Sequence, residues 1–231
     1  MSTSPNILLL ETATDICSVG ISQQGKLLSE VTADAPFVHG EQLTLQIQEC
    51  CEAAKLTLTD LDAIALSAGP GSYTALRIGT ATAKGICYAL QKPLLAVDTL
   101  HAIALATIAT HPQPNAIYIP MIDARRMEVY TAYYDGDGST IEPVHAAIIN
   151  EESFNELLQT GKSLLLSGNG AEKCQSILPQ QDIFYESIRC AARNLIPIAM
   201  QKWEQQHFES LAYFEPTYLK PPNITTPKKR L

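Results

Sequence analysis

The glycine-rich turn Gly69-Pro70-Gly71-Ser72 is the part of the sequence whose chemistry is most evident. It lies between an apolar segment and a helical pattern, where free backbone N–H groups at a helix start can bind an anion such as phosphate. A tight strand-to-helix turn needs glycine for its dihedral angles alone, so the residues leave both interpretations open. The turn is not a Walker A loop, because the Lys-Ser/Thr ending is absent and Lys84 falls far down the helix.

Other catalytic groupings are scarce. The sequence contains no HExxH, no GxSxG and no CxxC, and its five histidines are scattered. Glu11 and Asp15 flank a turn where phosphate-handling folds often keep a carboxylate, although a lone carboxylate there is more often a solvated turn residue. Asp123 beside Arg125 and Arg126 is interpreted as an ordinary ion pair at a strand end. The sequence therefore predicts no metal site.

Composition narrows the class of protein. The chain has 231 residues, 46% of them apolar and 17% charged, which is typical of a globular fold. Its net charge of −8 argues against free-standing binding to nucleic acid, since phosphate contacts need a basic face. No apolar stretch reaches the roughly 18–20 residues that span a bilayer, and the start has no charged region typical of a signal peptide. We expect a cytoplasmic protein whose six cysteines are mostly buried thiols.

Helices and strands alternate in a pattern that occurs twice. The predicted strands are 7–11, 17–22, 26–32, 63–67 and 94–97, then 116–122, 128–134, 140–145 and 163–167. The predicted helices are 40–55, 73–90 and 100–110, then 153–159, one after the turn at 168–170, and 189–204, which is interrupted or starts late at Pro197. This order predicts an α/β fold with a duplicated βββαβα layout and mixed sheets covered by helices, divided into lobes 1–111 and 112–231.

The helix predicted over 73–90 is apolar on two sides. At about 100° per residue, one face carries Leu76, Thr80, Ala83, Cys87 and Leu90. A nearly opposite face carries Ile78, Ala81, Gly85 and Ala89. A surface helix needs only one apolar stripe, so the second face indicates burial between layers of the same lobe or in a subunit interface. The pattern favours neither, and it does not say which face is external.

Three stretches of sequence resemble the TsaB (YeaZ) family. They are Leu10-Glu11-Thr12-Ala13-Thr14 with the following Cys17-Ser18-Val19-Gly20, then His39-Gly40-Glu41-Gln42-Leu43, and then 68–79. The resemblance is specific over residues 6–105 and weaker afterwards. It implies two lobes of the actin/sugar-kinase/heat-shock-ATPase fold. It also implies a role as non-catalytic partner of TsaD, joined by the ATPase TsaE, in forming the threonylcarbamoyladenosine of bacterial tRNA.

The resemblance also implies roles for individual residues. The catalytic paralogue TsaD carries a His-x-x-x-His metal pair where this chain has Thr99 and Ile103, so neither a metal nor another cofactor is expected. The interface with TsaD, or with a second copy when the chain is alone, is expected at Leu43, Ile47, Cys50, Ile78, Ala81, Thr82, Gly85 and Ala89. A vestigial phosphate site, with weak nucleotide binding left open, is expected at Thr12, Gly69, Gly71, Ser72, Gly168 and Gly170. Transfer RNA is expected to be held through the partners.

Two enzymatic alternatives remain. An ATP-dependent phosphotransferase of the same superfamily would bind nucleotide near Thr12, Gly71 and Gly168. A metallopeptidase is less favoured, because the histidine pair is missing. The family often has Asp where this chain has Glu11, so the cleft can differ in detail.

Overall fold

The first half of the chain forms a five-stranded mixed sheet. The computed structural model describes residues 5–34 and 39–220. The elements in order are β1 (Asn6–Glu11), β2 (Ile16–Gln23), β3 (Lys26–Asp34), α1 (His39–Ala54), β4 (Ala63–Ser67), α2 (Tyr73–Leu90), β5 (Leu94–Val97) and α3 (Thr99–Thr110). The strand order is β3-β2-β1-β4-β5, antiparallel over the opening meander and parallel from β1 to β5.

The second half repeats this plan. Its elements are β6 (Ala116–Asp123), β7 (Glu128–Tyr134), β8 (Thr140–Ile148), α4 (Asn155–Leu158), β9 (Ser163–Ser167), β10 (Ile183–Glu186) and α5 (Ile196–Glu204). The strand order β10-β9-β6-β7-β8 is that of the first sheet read from the opposite edge. The predicted two-lobed α/β fold with duplicated mixed sheets is confirmed. Each sheet contains five strands, one more than the four strands of the βββαβα layout.

The helices of the second half are shorter than predicted. The helix expected over 153–159 is limited to α4, and the turn at 168–170 leads only to a 3₁₀ turn, Glu172–Cys174. The helix expected over 189–204 starts late, at Ile196, with Pro197 in its first turn, where its missing N–H costs nothing. Strand β10 was not predicted. Its four residues alternate only weakly, and one, Phe184, is exposed.

The last helix of each half packs on the other sheet. Leu100 and Ile103 of α3 join a core cluster with Tyr118 and Leu165 of the second sheet. A cluster on the first sheet takes in α5, with Trp203, and the preceding 3₁₀ turn, Ala192–Leu195. Each lobe's core is therefore completed by the other half of the sequence. The division between residues 111 and 112 stays a prediction.

Two chain segments tie the halves together. In the 3₁₀ turn, the backbone N–H of Ala192 donates to Ser18 Oγ (3.1 Å), and that of Arg193 donates to Glu30 Oε1 (2.9 Å). Residues 209–220, here called the C-terminal strap, cross the first lobe beside α2. The N–H of Thr217 donates to the carbonyl of Ala68 at 2.7 Å.

Within the described ranges, no helix is both long and apolar enough to cross a membrane.

Candidate interaction surface

Helix α2 has one face in the core and one face outside. Leu76, Ala83 and Cys87 are fully buried, and Ala83 and Cys87 belong to the core cluster of the first sheet. On the opposite side, Ala81, Gly85 and Ala89 are exposed, and the predicted interface residues Ile78 and Thr82 beside them are half-buried. The sequence left open which face is external. The structure shows that the face with Ala81, Gly85 and Ala89 points outward.

Helix α1 differs from the prediction. Leu43, Ile47 and Cys50 are 1%, 5% and 0% exposed and belong to the core of their own lobe. The Cys50 carbonyl accepts a hydrogen bond from Ser29 Oγ on β3 (2.8 Å). They give no outward surface in this fold, because a helix lying on a sheet buries its apolar stripe against that sheet. The outward side of α1 instead presents Leu45, 57% exposed, among polar residues.

The two helices lie side by side and form one continuous surface. A Cβ atom added to Gly40 at the start of α1 would lie 3.9 Å from Ile78 on α2. Beyond Ile78 the surface continues over the small exposed residues of α2 to Tyr88, which is 83% exposed. Tyr88 and Leu45 were not singled out from the sequence. In both cases the signal in the sequence was an apolar side chain that lies outside the main apolar stripe of its helix.

The two glycines inside α2 have opposite surroundings. A Cβ atom on Gly79 would lie 2.2 Å from Thr12 Oγ1, so packing against the β1–β2 turn requires glycine there. A Cβ atom on Gly85 would meet nothing within 4 Å. Glycine inside a helix costs roughly 0.5–1 kcal/mol relative to alanine. The isolated chain therefore gives no packing reason for Gly85.

A groove runs between the other edge of α2 and the C-terminal strap. Its volume is about 610 Å³, and its lining includes Tyr73, Arg77, Lys84, Tyr218 and Lys220. The Arg77 guanidinium donates to the Tyr73 hydroxyl (2.7 Å), and the ring centroids of Tyr73 and Tyr218 are 4.7 Å apart. The Lys84 ammonium donates to the carbonyl of Phe214 in the strap (3.1 Å). The groove thus has aromatic walls and a basic edge.

The glycine turn of the first lobe is engaged by the protein itself. The N–H of Gly69 donates to Thr99 Oγ1 (3.2 Å), and the N–H of Ser72 donates to the carbonyl of Ala13 (2.7 Å). A Cβ atom on Gly71 would lie 2.2 Å from that same Ala13 carbonyl oxygen. The β1–β2 turn therefore packs directly against the glycine turn and accepts one of its backbone N–H groups. The arrangement favours the structural interpretation of the turn.

The matching turn of the second lobe is closed in the same way. The N–H of Gly168 donates to the carbonyl of Ile188 (2.8 Å), and that of Gly170 donates to the carbonyl of Met121 (3.0 Å). A Cβ atom on Gly168 would lie 2.2 Å from the Met121 carbonyl oxygen. Thr12, the remaining predicted contact, is buried beneath α2. These residues do not fit a nucleotide phosphate, and we derive no chemical step through one.

The positions aligned with the TsaD histidines are structural. Thr99 is fully buried with its hydroxyl bonded to Gly69, and Ile103 is packed in the core that faces the second sheet. His101 stacks on Tyr134 with ring centroids 5.0 Å apart. Among residues 5–34 and 39–220, no three His, Cys, Asp or Glu side chains are grouped as metal ligands. Asp123 pairs with Lys173 rather than with the neighbouring arginine side chains.

Glu11 is a buried carboxyl group. It lies at the end of β1, where its Oε1 accepts the N–H of Ala13 (2.7 Å) and Ser67 is a second hydrogen-bond partner. Burial raises the pKa of Glu11 from 4.5 to about 7, and these hydrogen bonds only partly oppose the effect. The side chain is enclosed by the protein, so it contacts no space where a substrate could lie. The interpretation of Glu11 as a solvated turn residue, which the sequence favoured, is therefore wrong.

Comparison with known proteins identifies the family. The model of the family "TsaD: tRNA N6-adenosine threonylcarbamoyltransferase" matches residues 31–227. The Escherichia coli protein TsaB, described as a tRNA threonylcarbamoyladenosine biosynthesis protein, is 28% identical over 220 residues, covering 93% of this chain and 94% of its own. The structure of YeaZ from Pseudomonas aeruginosa matches with a TM-score of 0.77 and 25% identity, covering 93% of this chain and all of that one.

A more distant structure shares only the fold. Component A of the (R)-2-hydroxyglutaryl-CoA dehydratase of Acidaminococcus fermentans matches with a TM-score of 0.51 and 10% identity, over 88% of this chain and all of its own. This match concerns the two-lobed architecture alone. By sequence, this chain belongs to the TsaB (YeaZ) family.

Proposed function

We propose that this chain is the non-catalytic scaffold subunit of a cytoplasmic complex that forms threonylcarbamoyladenosine in tRNA. It binds TsaD through the outward face of α2 together with the exposed side of α1, and TsaE joins this pair. In the absence of TsaD the same surface pairs two copies of the chain. The name of the Escherichia coli relative supports the pathway.

The observation that carries the proposal is the environment of Gly85. An exposed helix position without neighbours gains stability from almost any residue other than glycine or proline. Glycine there, with the exposed Ala81 and Ala89 a turn away on either side, allows another helix backbone to approach closely. A specific interface of standard size buries about 800 Å² on each partner. The exposed sides of α1 and α2, including Leu45 and Tyr88, provide the apolar residues for the centre of such an interface.

The contacts of the two glycine turns, 69–72 and 168–170, support a role without catalysis. The backbone N–H groups of Gly69, Ser72, Gly168 and Gly170 already have protein acceptors. Glu11, a buried carboxyl group at the β1–β2 turn, is sealed from solvent. Neither the phosphotransferase nor the metallopeptidase alternative gains support from these contacts. The acidic net charge favours tRNA being held mainly by the partner subunits.

Charge insertion on α2 tests the proposal. The variants are Gly85→Arg and Ala81→Arg, and the matched control is Ala109→Arg, an exposed alanine on α3. Each is mixed with TsaD from the same organism and analysed by size exclusion with light scattering, while circular dichroism reports folding. We expect both α2 variants to remain folded and lose the complex, and the control to keep it. Complex formation by Gly85→Arg at wild-type affinity would contradict the assignment of this face.

A further inference from the structure

Helices α1 and α2 carry charges of opposite sign. Arg77 and Lys84 are the only charged residues of α2, and both are basic. The charged residues of α1 are Glu41, Glu49 and Glu52, all acidic and all exposed. Since the chain as a whole carries −8, a helix with only basic charges is a local exception. The two helices therefore give the proposed interface an acidic side and a basic side.

The charges lie at opposite edges of this surface. Ile78 lies on the side of α2 that faces α1, as its contact with Gly40 shows. Arg77 and Lys84 lie on the other side, where they line the groove beside the C-terminal strap. Between the two edges lie the small exposed residues of α2. Across the surface, the order is thus acidic edge on α1, small-residue centre on α2, and basic groove.

We infer that a second copy of this chain docks with its acidic α1 edge in the basic groove between α2 and the strap. The inference rests on the proposed function, because it assumes that this surface is the one that pairs. It adds the orientation of the pair and the residues that set it. In a two-fold pair, each acidic edge enters the groove of the other copy, so the contact is made twice.

Charge selects one of two symmetric arrangements. If the two-fold axis runs along α2 within the interface, opposite edges meet. Because Gly40 lies beside Ile78, Glu41 of one copy then comes level with Arg77 of the other, and Glu49 lies further along on the side of Lys84. If the axis runs across the helices, each edge meets its own equivalent, so carboxylates face carboxylates. Like charges placed together across an interface are strongly disfavoured. The inferred pair therefore has its two α2 helices parallel.

The groove has room and residual charge for this contact. The groove volume of about 610 Å³ lies in the range typical of pockets that enclose small-molecule ligands, so it has space for side chains of a partner. Lys220 is paired with Glu128, and Glu215 is the acidic residue that lines the groove. Arg77 and Lys84 therefore outnumber the one acidic group that faces them. The Lys84 ammonium donates to a neutral carbonyl, which leaves its charge uncompensated by that contact.

Self-association measured by sedimentation velocity tests the inference. The acidic-edge variant is Glu41→Lys with Glu49→Lys, the basic-edge variant is Arg77→Glu with Lys84→Glu, and the charge-swapped variant combines all four. Glu151→Lys with Glu156→Lys, on exposed residues of the second lobe, makes the same charge change away from the surface. We expect each edge variant to raise the dimer dissociation constant about tenfold at low salt, while the swapped variant and the control stay within about threefold of wild type.

The salt dependence gives an independent readout. Because salt screens attractive charge pairs, the inferred arrangement predicts that the wild-type dimer weakens between 50 and 500 mM NaCl. The alternative arrangement, in which each edge meets its own equivalent, predicts that the dimer strengthens, because salt then screens repulsion. Edge variants that dimerise like wild type, a swapped variant that is not restored, or a wild type that stays monomeric at high concentration would each overturn the inference. TsaD binding by wild type but not by Gly85→Arg would still support the proposed function, so the two failures are distinguishable.

Discussion

Replacing Glu11 by glutamine is expected to remove a large pH dependence from the stability of the protein. Glu11 is sealed at the end of β1, and burial raises its pKa from 4.5 to about 7. Between these two values the folded chain keeps a proton that the unfolded chain has lost. The free energy of unfolding therefore falls as the pH rises through this window and levels off above pH 7. Below pH 4.5 both states are protonated, and the contribution is fully present.

The magnitude follows from the size of the shift. One pKa unit corresponds to about 1.4 kcal/mol, so a shift from 4.5 to about 7 corresponds to about 3 kcal/mol of unfolding free energy lost by pH 8. Glutamine keeps an acceptor for the N–H of Ala13 and carries no charge. The groups that interact with Glu11 electrostatically include the thiols of Cys17 and Cys190, whose pKa values burial raises, so they stay neutral in this window.

Urea unfolding at pH 5, 6, 7 and 8 measures the effect. The informative quantity is the difference in unfolding free energy between the Glu11→Gln variant and wild type, because the other titrating groups contribute equally to both. We expect the difference to shift in favour of the variant by about 2.5 kcal/mol from pH 5 to pH 8, because part of the full effect has already been lost at pH 5. A difference that stays constant across this range would refute the argument that the folded protein buries Glu11 in its protonated, uncharged form.

Three further substitutions test the packing by the same urea measurement. Gly85→Ala should stabilise the isolated chain by about 0.5–1 kcal/mol, since its Cβ meets no atom within 4 Å; a loss of stability would show that α2 needs glycine there for its own fold. Gly71→Ala should destabilise it by more than about 2 kcal/mol, because its Cβ would lie 2.2 Å from the carbonyl oxygen of Ala13; near-neutral behaviour would mean that the β1–β2 turn yields easily. Glu30→Ala should cost about 2 kcal/mol by removing the acceptor of the Arg193 N–H, and an unchanged midpoint would contradict a role in joining the halves.

The regular elements of the first lobe could be predicted from local pattern, but which apolar faces are buried inside the lobe could not. Strand β4 and helix α2 have the predicted limits, because a short continuous apolar run and a glycine turn define them locally. The stripe of Leu43, Ile47 and Cys50 was assigned to an interface, yet the lobe's own sheet covers it. Periodicity identifies an apolar face but not the surface that covers it. That information lies in tertiary contacts between distant segments.

The second half was harder to predict for a related reason. Among the described residues, strand β10 pairs only with β9, and it has four residues, too few for an alternating pattern to be distinctive. Helix α5 was predicted, but its packing on the first sheet was not. The 3₁₀ turn that leads into α5 is held by Ser18 and Glu30, which accept hydrogen bonds from residues more than 160 positions away. Nothing in the local sequence of either segment indicates such a partner.

The difference between the two lobes limits how this chain can assemble. The strand plans are equivalent, but α1 has 16 residues where the second lobe has the four-residue α4. Likewise α2 has 18 residues where the second lobe has a three-residue 3₁₀ turn after β9. Within residues 5–34 and 39–220, this pair of helices therefore occurs on the first lobe only. A self-complementary surface present once per chain closes after two subunits instead of extending into a filament. On the proposed function, a second copy and TsaD use this one surface, so binding of either partner excludes the other.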